Sequence, residues 1–97
     1  IGYADGVSRS CSGRASVLVA GRRCPVVGRV CMDQLMVDVT GIDRVSPGDV
    51  ATLIGRDGMD EIRVEEVAQA AGTISNEVLS RLGRRLPRIA VCSTSSR

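Results

Sequence analysis

Few side chains in this sequence can do acid–base or ligand chemistry, and that scarcity narrows the readings at once. The chain has no histidine, no lysine and a single tyrosine, Tyr3. Without histidine it lacks both the side chain that titrates nearest neutrality and the commonest metal ligand. All 13 basic residues are arginine, so this chain can supply neither a lysine-held Schiff base nor a P-loop lysine. Cys11, Cys24, Cys31 and Cys92 include no C-x-x-C pair, and with no histidine to complete a tetrahedral set no metal site is expected. Tyr3 is therefore the one acid–base candidate besides the thiols. A phenol titrates near about 10, too high for an efficient base at neutral pH unless a neighbouring cation favours the phenolate.

Two stretches look built for more than packing: Gly2-Tyr3-Ala4-Asp5-Gly6 and Gly28-Arg29-Val30-Cys31-Met32-Asp33-Gln34. Read alone, Asp5-Gly6 is a turn and Met32-Asp33-Gln34 a strand connection. Arg81, Arg84, Arg85 and Arg88 form the one basic cluster, which reads as a solvated face near the negative end of a helix. A net charge of +2 and 1% aromatic content argue against a nucleic-acid partner, since base stacking needs aromatic faces. No run of about 18 apolar residues occurs, so no membrane-spanning helix is expected. Cys24 and Cys31, set among valines, read as small buried apolar residues of a reducing, cytoplasmic environment.

The elements that must position these residues are short, and the 97 residues suffice for one domain with a modest core. Residues 16–20 and 23–30 read as a hairpin turning at Gly21-Arg22, a Gly-X pair suited to a type II′ turn. Pro25 has no N–H for a ladder and is expected at an edge or a bulge. Residues 35–39, 50–54 and 61–64 follow as strands, separated by a Pro47-Gly48 type II turn and a reversal at Asp57-Gly58. Val64, Val67, Ala68 and Ala71 then fall at helical spacing, with Glu65 and Glu66 early and Gly72 as a stop. Thr73 is expected to cap a second short helix carrying Ile74, Val78 and Leu82. Leu86, Ile89 and Val91 alternate as a last strand, and residues 92–97 are a polar tail expected to be disordered. The fold class expected is mainly β, a small barrel-like domain with two short helices.

Ile1-Gly2-Tyr3-Ala4-Asp5-Gly6, Pro25 through Gln34, Gly48-Asp49 with Leu53-Ile54-Gly55, and Arg85-Leu86-Pro87-Arg88 occur in the order seen in alanine racemases. Over residues 1–91 the chain resembles the carboxy-terminal domain of that family. The resemblance implies a pyridoxal-phosphate enzyme of fold-type III that interconverts L- and D-alanine for peptidoglycan. Its cofactor is held on a lysine of an amino-terminal (β/α)₈ barrel that this chain lacks. Starting at Ile1, the chain reads as a piece of a longer product, inactive alone for want of that lysine. Racemisation removes the Cα proton from one face and returns one to the other, with the pyridine ring as electron sink. The resemblance implies that the cofactor lysine serves one face and Tyr3 the other, from the partner subunit of a homodimer.

Met32 and Asp33 match positions lining the substrate pocket across that interface, Met32 through its backbone N–H and Asp33 in an orienting role. Arg84 stands where many members have an aromatic residue that hydrogen-bonds the cofactor phosphate; an arginine can still reach a phosphate. Two alternatives keep other functions open: the racemase domain of a membrane-anchored serine/alanine racemase of the vancomycin-resistance type, and a non-catalytic β module that binds a protein partner.

Overall fold

The structure, a computed structural model, describes residues 1–89. Its elements in chain order are β1 (Ser16–Val19), β2 (Arg22–Val27), β3 (Met36–Val37), β4 (Ala51–Thr52), β5 (Gly55–Asp57), β6 (Asp60–Ile62), α1 (Val64–Ala71) and α2 (Ser75–Ser80), with 3-10 turns at Tyr3–Asp5 and Arg9–Cys11. A four-stranded sheet has the order β3-β2-β1-β4, and β5 pairs with β6 in a separate ribbon. All pairings are antiparallel. The chain is mainly β, a curled half-barrel sheet with two short helices, as its sequence pattern implies.

The β1–β2 hairpin closes with Val19 opposite Arg22, so its two loop residues are Ala20 and Gly21, one position earlier than expected. Both have positive φ, +52° and +76°, as a type I′ turn requires, whereas a type II′ turn needs it at the first alone. The closing pair sets the register that turns Val17, Val19, Cys24 and Val26 to one face. With Val30 they form the main core, and Val7, Leu35, Val37, Val39 and Leu53 pack against it. Leu18 is fully buried on the other face of β1, the strand that the β5–β6 ribbon touches.

Pro25 lies in an inner strand, not at an edge. It sits opposite Ser16, between the pairs that exchange ladder hydrogen bonds, and on its other side it accepts from Asp38 N–H at 3.0 Å. With no N–H to return, Pro25 ends the pairing with β3 there, which is why β3 is two residues long and not the five expected. The 50–54 strand likewise shortens to Ala51–Thr52. Val64 opens α1 and does not extend β6.

Gly48 has φ +98° behind Pro47, and Asp49 N–H bonds to Ser46 O at 3.0 Å, the type II turn predicted. α1 runs as expected and stops at Gly72, which is left-handed at φ +74°. Thr73 does not cap α2: its N–H instead closes the end of α1 on Ala68 O at 2.9 Å, and Ile74 holds the N-cap position without a side-chain bond. Leu86 and Ile89 lie in no strand. Val91, Cys92 and the 92–97 tail fall outside the described residues. On the surface Arg23 ties β2 to the ribbon and α1 through Asp60 at 3.2 Å, Glu66, and the Glu61 carbonyl at 2.6 Å. Among the described residues no helix is long and apolar enough to cross a membrane.

Candidate functional site

The two stretches singled out in the sequence lie side by side. Tyr3 N–H donates to Cys31 O and Ala4 N–H to Met32 O, each at 2.9 Å. Gly2 makes this approach possible: a Cβ there would stand 2.7 Å from the Met32 carbonyl carbon, closer than real side chains come. Tyr3 begins the 3-10 turn Tyr3–Asp5 and is 40% exposed, beside Met32 at 56%. The Arg9 guanidinium stands over the Tyr3 ring, 5.7 Å from its centroid, a cation–π arrangement. Tyr3, Arg9, Ser10, Ser12, Arg29 and Met32 help line an open concavity of about 770 Å³.

Asp33 is exposed next to Met32, and Arg84 is exposed in the segment that follows α2. Neither makes a side-chain hydrogen bond or ion pair among the described residues. Cys31, expected inside, is exposed, and it holds Tyr3 through its backbone carbonyl. Cys24 is buried as expected, and so is Cys11. Burial pushes the Cys11 thiol up from its ordinary value, with the charge of Arg14 opposing that shift.

Sequence reasoning missed the group that anchors the site. Asp5 is completely buried. Its Oδ2 accepts from Gly2 N–H at 3.1 Å and from Arg85 Nη2 at 3.2 Å, and its Oδ1 lies 2.8 Å from Arg85 Nε. Oδ1 gains no well-aligned hydrogen bond from that contact, so it is held by charge more than by direction. The basic cluster is thus not merely a solvated face. Arg81 pairs with Glu77 at 2.8 Å, Arg88 closes on Leu82 O at 2.8 Å, and Arg85, though 60% exposed, pairs with the buried Asp5. Asp5 and Arg85 both stood in the quoted strings, yet nothing local marks a partner 80 positions away.

The carboxy-terminal domain model of alanine racemase matches residues 1–90. The chain is 55% identical over 87 residues to an amino-acid racemase of Enterococcus faecalis, covering 89% of this chain and 12% of that protein. It is 50% identical over 91 residues to the alanine racemase of Carboxydothermus hydrogenoformans, covering 94% and 25%. Among solved structures, the alanine racemase of Bacillus anthracis with bound L-Ala-P superposes with a TM-score of 0.88 at 44% identity, covering 98% of this chain and 24% of that one. The Streptomyces coelicolor enzyme gives 0.84 at 47% identity, covering 92% and 23%. The chain therefore spans a quarter or less of the length of these relatives. With the family's strings packed against each other in the family's fold, the chain belongs to the alanine racemase carboxy-terminal domain family.

Proposed function

We propose that this chain is the part of an alanine racemase that completes the substrate site of a partner subunit, in an enzyme interconverting L- and D-alanine for peptidoglycan. The observation that carries the reading is the backbone pairing of Tyr3 and Ala4 with Cys31 and Met32, which sets an exposed phenol beside an exposed backbone segment at one concavity. Pyridoxal phosphate is covalently bound in the solved alanine racemase of Bartonella henselae. The donor set here does not by itself fit that group, because the chain has no lysine to bond it. The lysine must come from elsewhere in the full protein, and residues 1–97 alone are inactive. When bound, the cofactor draws electrons from the amino acid and acidifies its Cα–H. In this reading Tyr3 moves a proton at one face of Cα, Met32 and Asp33 orient the substrate carboxylate, and Arg84 offers charge toward the phosphate.

The full-length protein, assayed as the holoenzyme, is expected to racemise both alanine antipodes. Tyr3→Phe is expected to abolish racemisation while Cα-proton exchange with deuterated water survives for one antipode, the one served by the other base. A Tyr3→Phe enzyme with raised KM and normal kcat would make Tyr3 a wall of the concavity and leave the base elsewhere. A second reading, a serine/alanine racemase, is favoured by the match to the longer Enterococcus faecalis amino-acid racemase. Comparable turnover of L-serine and L-alanine by the full-length protein would select it.

A further inference from the structure

We infer that Asp5 and Arg85 are positioning residues of the site, an ion pair between a buried carboxylate and a largely exposed arginine that locks the Tyr3-bearing turn to the segment after α2. The inference rests on the racemase reading for its activity assay and on the geometry alone for the rest. Asp5 is the one fully buried charged side chain among the described residues. A buried carboxylate is a poor means of gaining stability, since well-packed apolar residues usually serve as well. Its geometry here serves placement. Its Oδ2 accepts from Gly2 N–H and from Arg85 Nη2, and its Oδ1 lies 2.8 Å from Arg85 Nε, so one carboxylate ties the backbone of the Tyr3 turn to the segment after α2.

The backbone repeats the lock. Asp5 O accepts from Gly83 N–H at 3.0 Å. A Cβ on Gly6 would come within 2.7 Å of Arg81 O, and one on Gly83 within 3.1 Å of Ala4 O. Residues 2–6 are therefore clamped between residues 31–32 on one side and 81–85 on the other. Because Arg84 is the neighbour of Arg85, one ion pair sets two proposed site residues, Tyr3 and Arg84, relative to each other.

The test uses the full-length holoenzyme with Asp5→Asn, Arg85→Lys, Tyr3→Phe and the paired variants. Asp5→Asn and Arg85→Lys are each expected to lower kcat by roughly 10- to 100-fold, the cost of a misplaced reacting group. Tyr3→Phe is expected to cost much less in the Asp5→Asn background than in the native one, because Asp5 acts through Tyr3. Amide hydrogen exchange at Tyr3 and Ala4 is expected to quicken at least roughly tenfold in both variants as their bonds to Cys31 and Met32 loosen. Native kcat and KM in both, or losses that multiply with Tyr3→Phe, overturn the inference. If Asp5→Asn does not fold, the Arg85→Lys cycle, which keeps the charge and loses the fork, decides alone. A native protein that racemises nothing sinks the functional reading and leaves the exchange measurement, where unchanged protection at Tyr3 and Ala4 would sink the positioning role by itself.

Discussion

Truncating Arg85 and neutralising Asp5 break the same ion pair but leave different things behind. Arg85→Ala leaves a carboxylate at 0% exposure with one backbone donor, Gly2 N–H. Stranding a buried charge costs about 3–5 kcal/mol. The Arg85 side chain is 60% exposed, so its removal admits some water to Asp5, and the cost falls at the lower end, about 3 kcal/mol. Asp5→Asn keeps an acceptor for Gly2 N–H and frees an arginine that is already mostly hydrated. Its cost is the weakened contact to Arg85 plus a buried amide N–H that meets only donors, together about 2 kcal/mol. The double variant strands no charge, only a buried amide N–H, and should cost about 2 kcal/mol as well, so adding Asp5→Asn to Arg85→Ala returns about 1 kcal/mol. Urea unfolding of the full-length protein, followed by a signal from this domain, should put the Arg85→Ala midpoint about 1–3 M below the native one and the double variant between them. A double variant less stable than Arg85→Ala would refute the argument, because the loss would then come from packing and not from a stranded charge.

Further outcomes follow from single residues. Gly6→Ala should destabilise by about 3 kcal/mol or more, because φ +109° strains any side chain and the obstructing atom 2.7 Å away is a backbone oxygen that cannot swing aside. Gly28→Ala, with φ +68° and open space around it, should cost about 1 kcal/mol, and equal losses in urea melts would show that the clamp at Arg81 gives way freely. Burial raises the Cys11 thiol above its ordinary value, so the folded state favours the neutral thiol. That contribution is whole below the unfolded value and is lost as pH rises through the folded one. Stability should hold up to the ordinary thiol range, about 8.5, and fall as pH rises past it, Cys11→Ala should flatten the fall, and peptide mapping after alkylation should find Cys31 modified in the native state but Cys11 only after unfolding. A native-state label on Cys11 would count against its burial.

What was legible in the sequence is what is local. Pro47-Gly48 and Gly72 dictate their own backbone angles, and the spacing of Val64, Val67, Ala68 and Ala71 requires an amphipathic helix whatever surrounds it. The errors came where a neighbour in space outvotes the local signal. Gly21 suggested a turn starting at itself, but the register that buries Val17 and Val19 puts Ala20 in a left-handed conformation and moves the turn back by one. Thr73 has the side chain of a helix N-cap, yet the Gly72 reversal carries its N–H back to Ala68. Cys31 looks apolar among valines, but the backbone of the 31–32 segment is taken up by Tyr3 and Ala4 and its thiol is turned outward.

The site shows the same division more sharply. Tyr3 and Met32 stand out as candidates in the sequence because of their chemistry or their strings, the lone phenol above all. Asp5 and Arg85 could not be assigned roles, because an aspartate before glycine and an arginine among arginines each have an ordinary surface explanation. Only folding brings the two ends of the domain together and takes the carboxylate out of water. The residues that would act on a substrate are thus exposed and conspicuous, while the carboxylate proposed to fix where they stand is hidden. That arrangement suits the proposed role: a presented group must stay accessible, so the constraint on its position is best set from behind it, by a carboxylate that solvent does not reach.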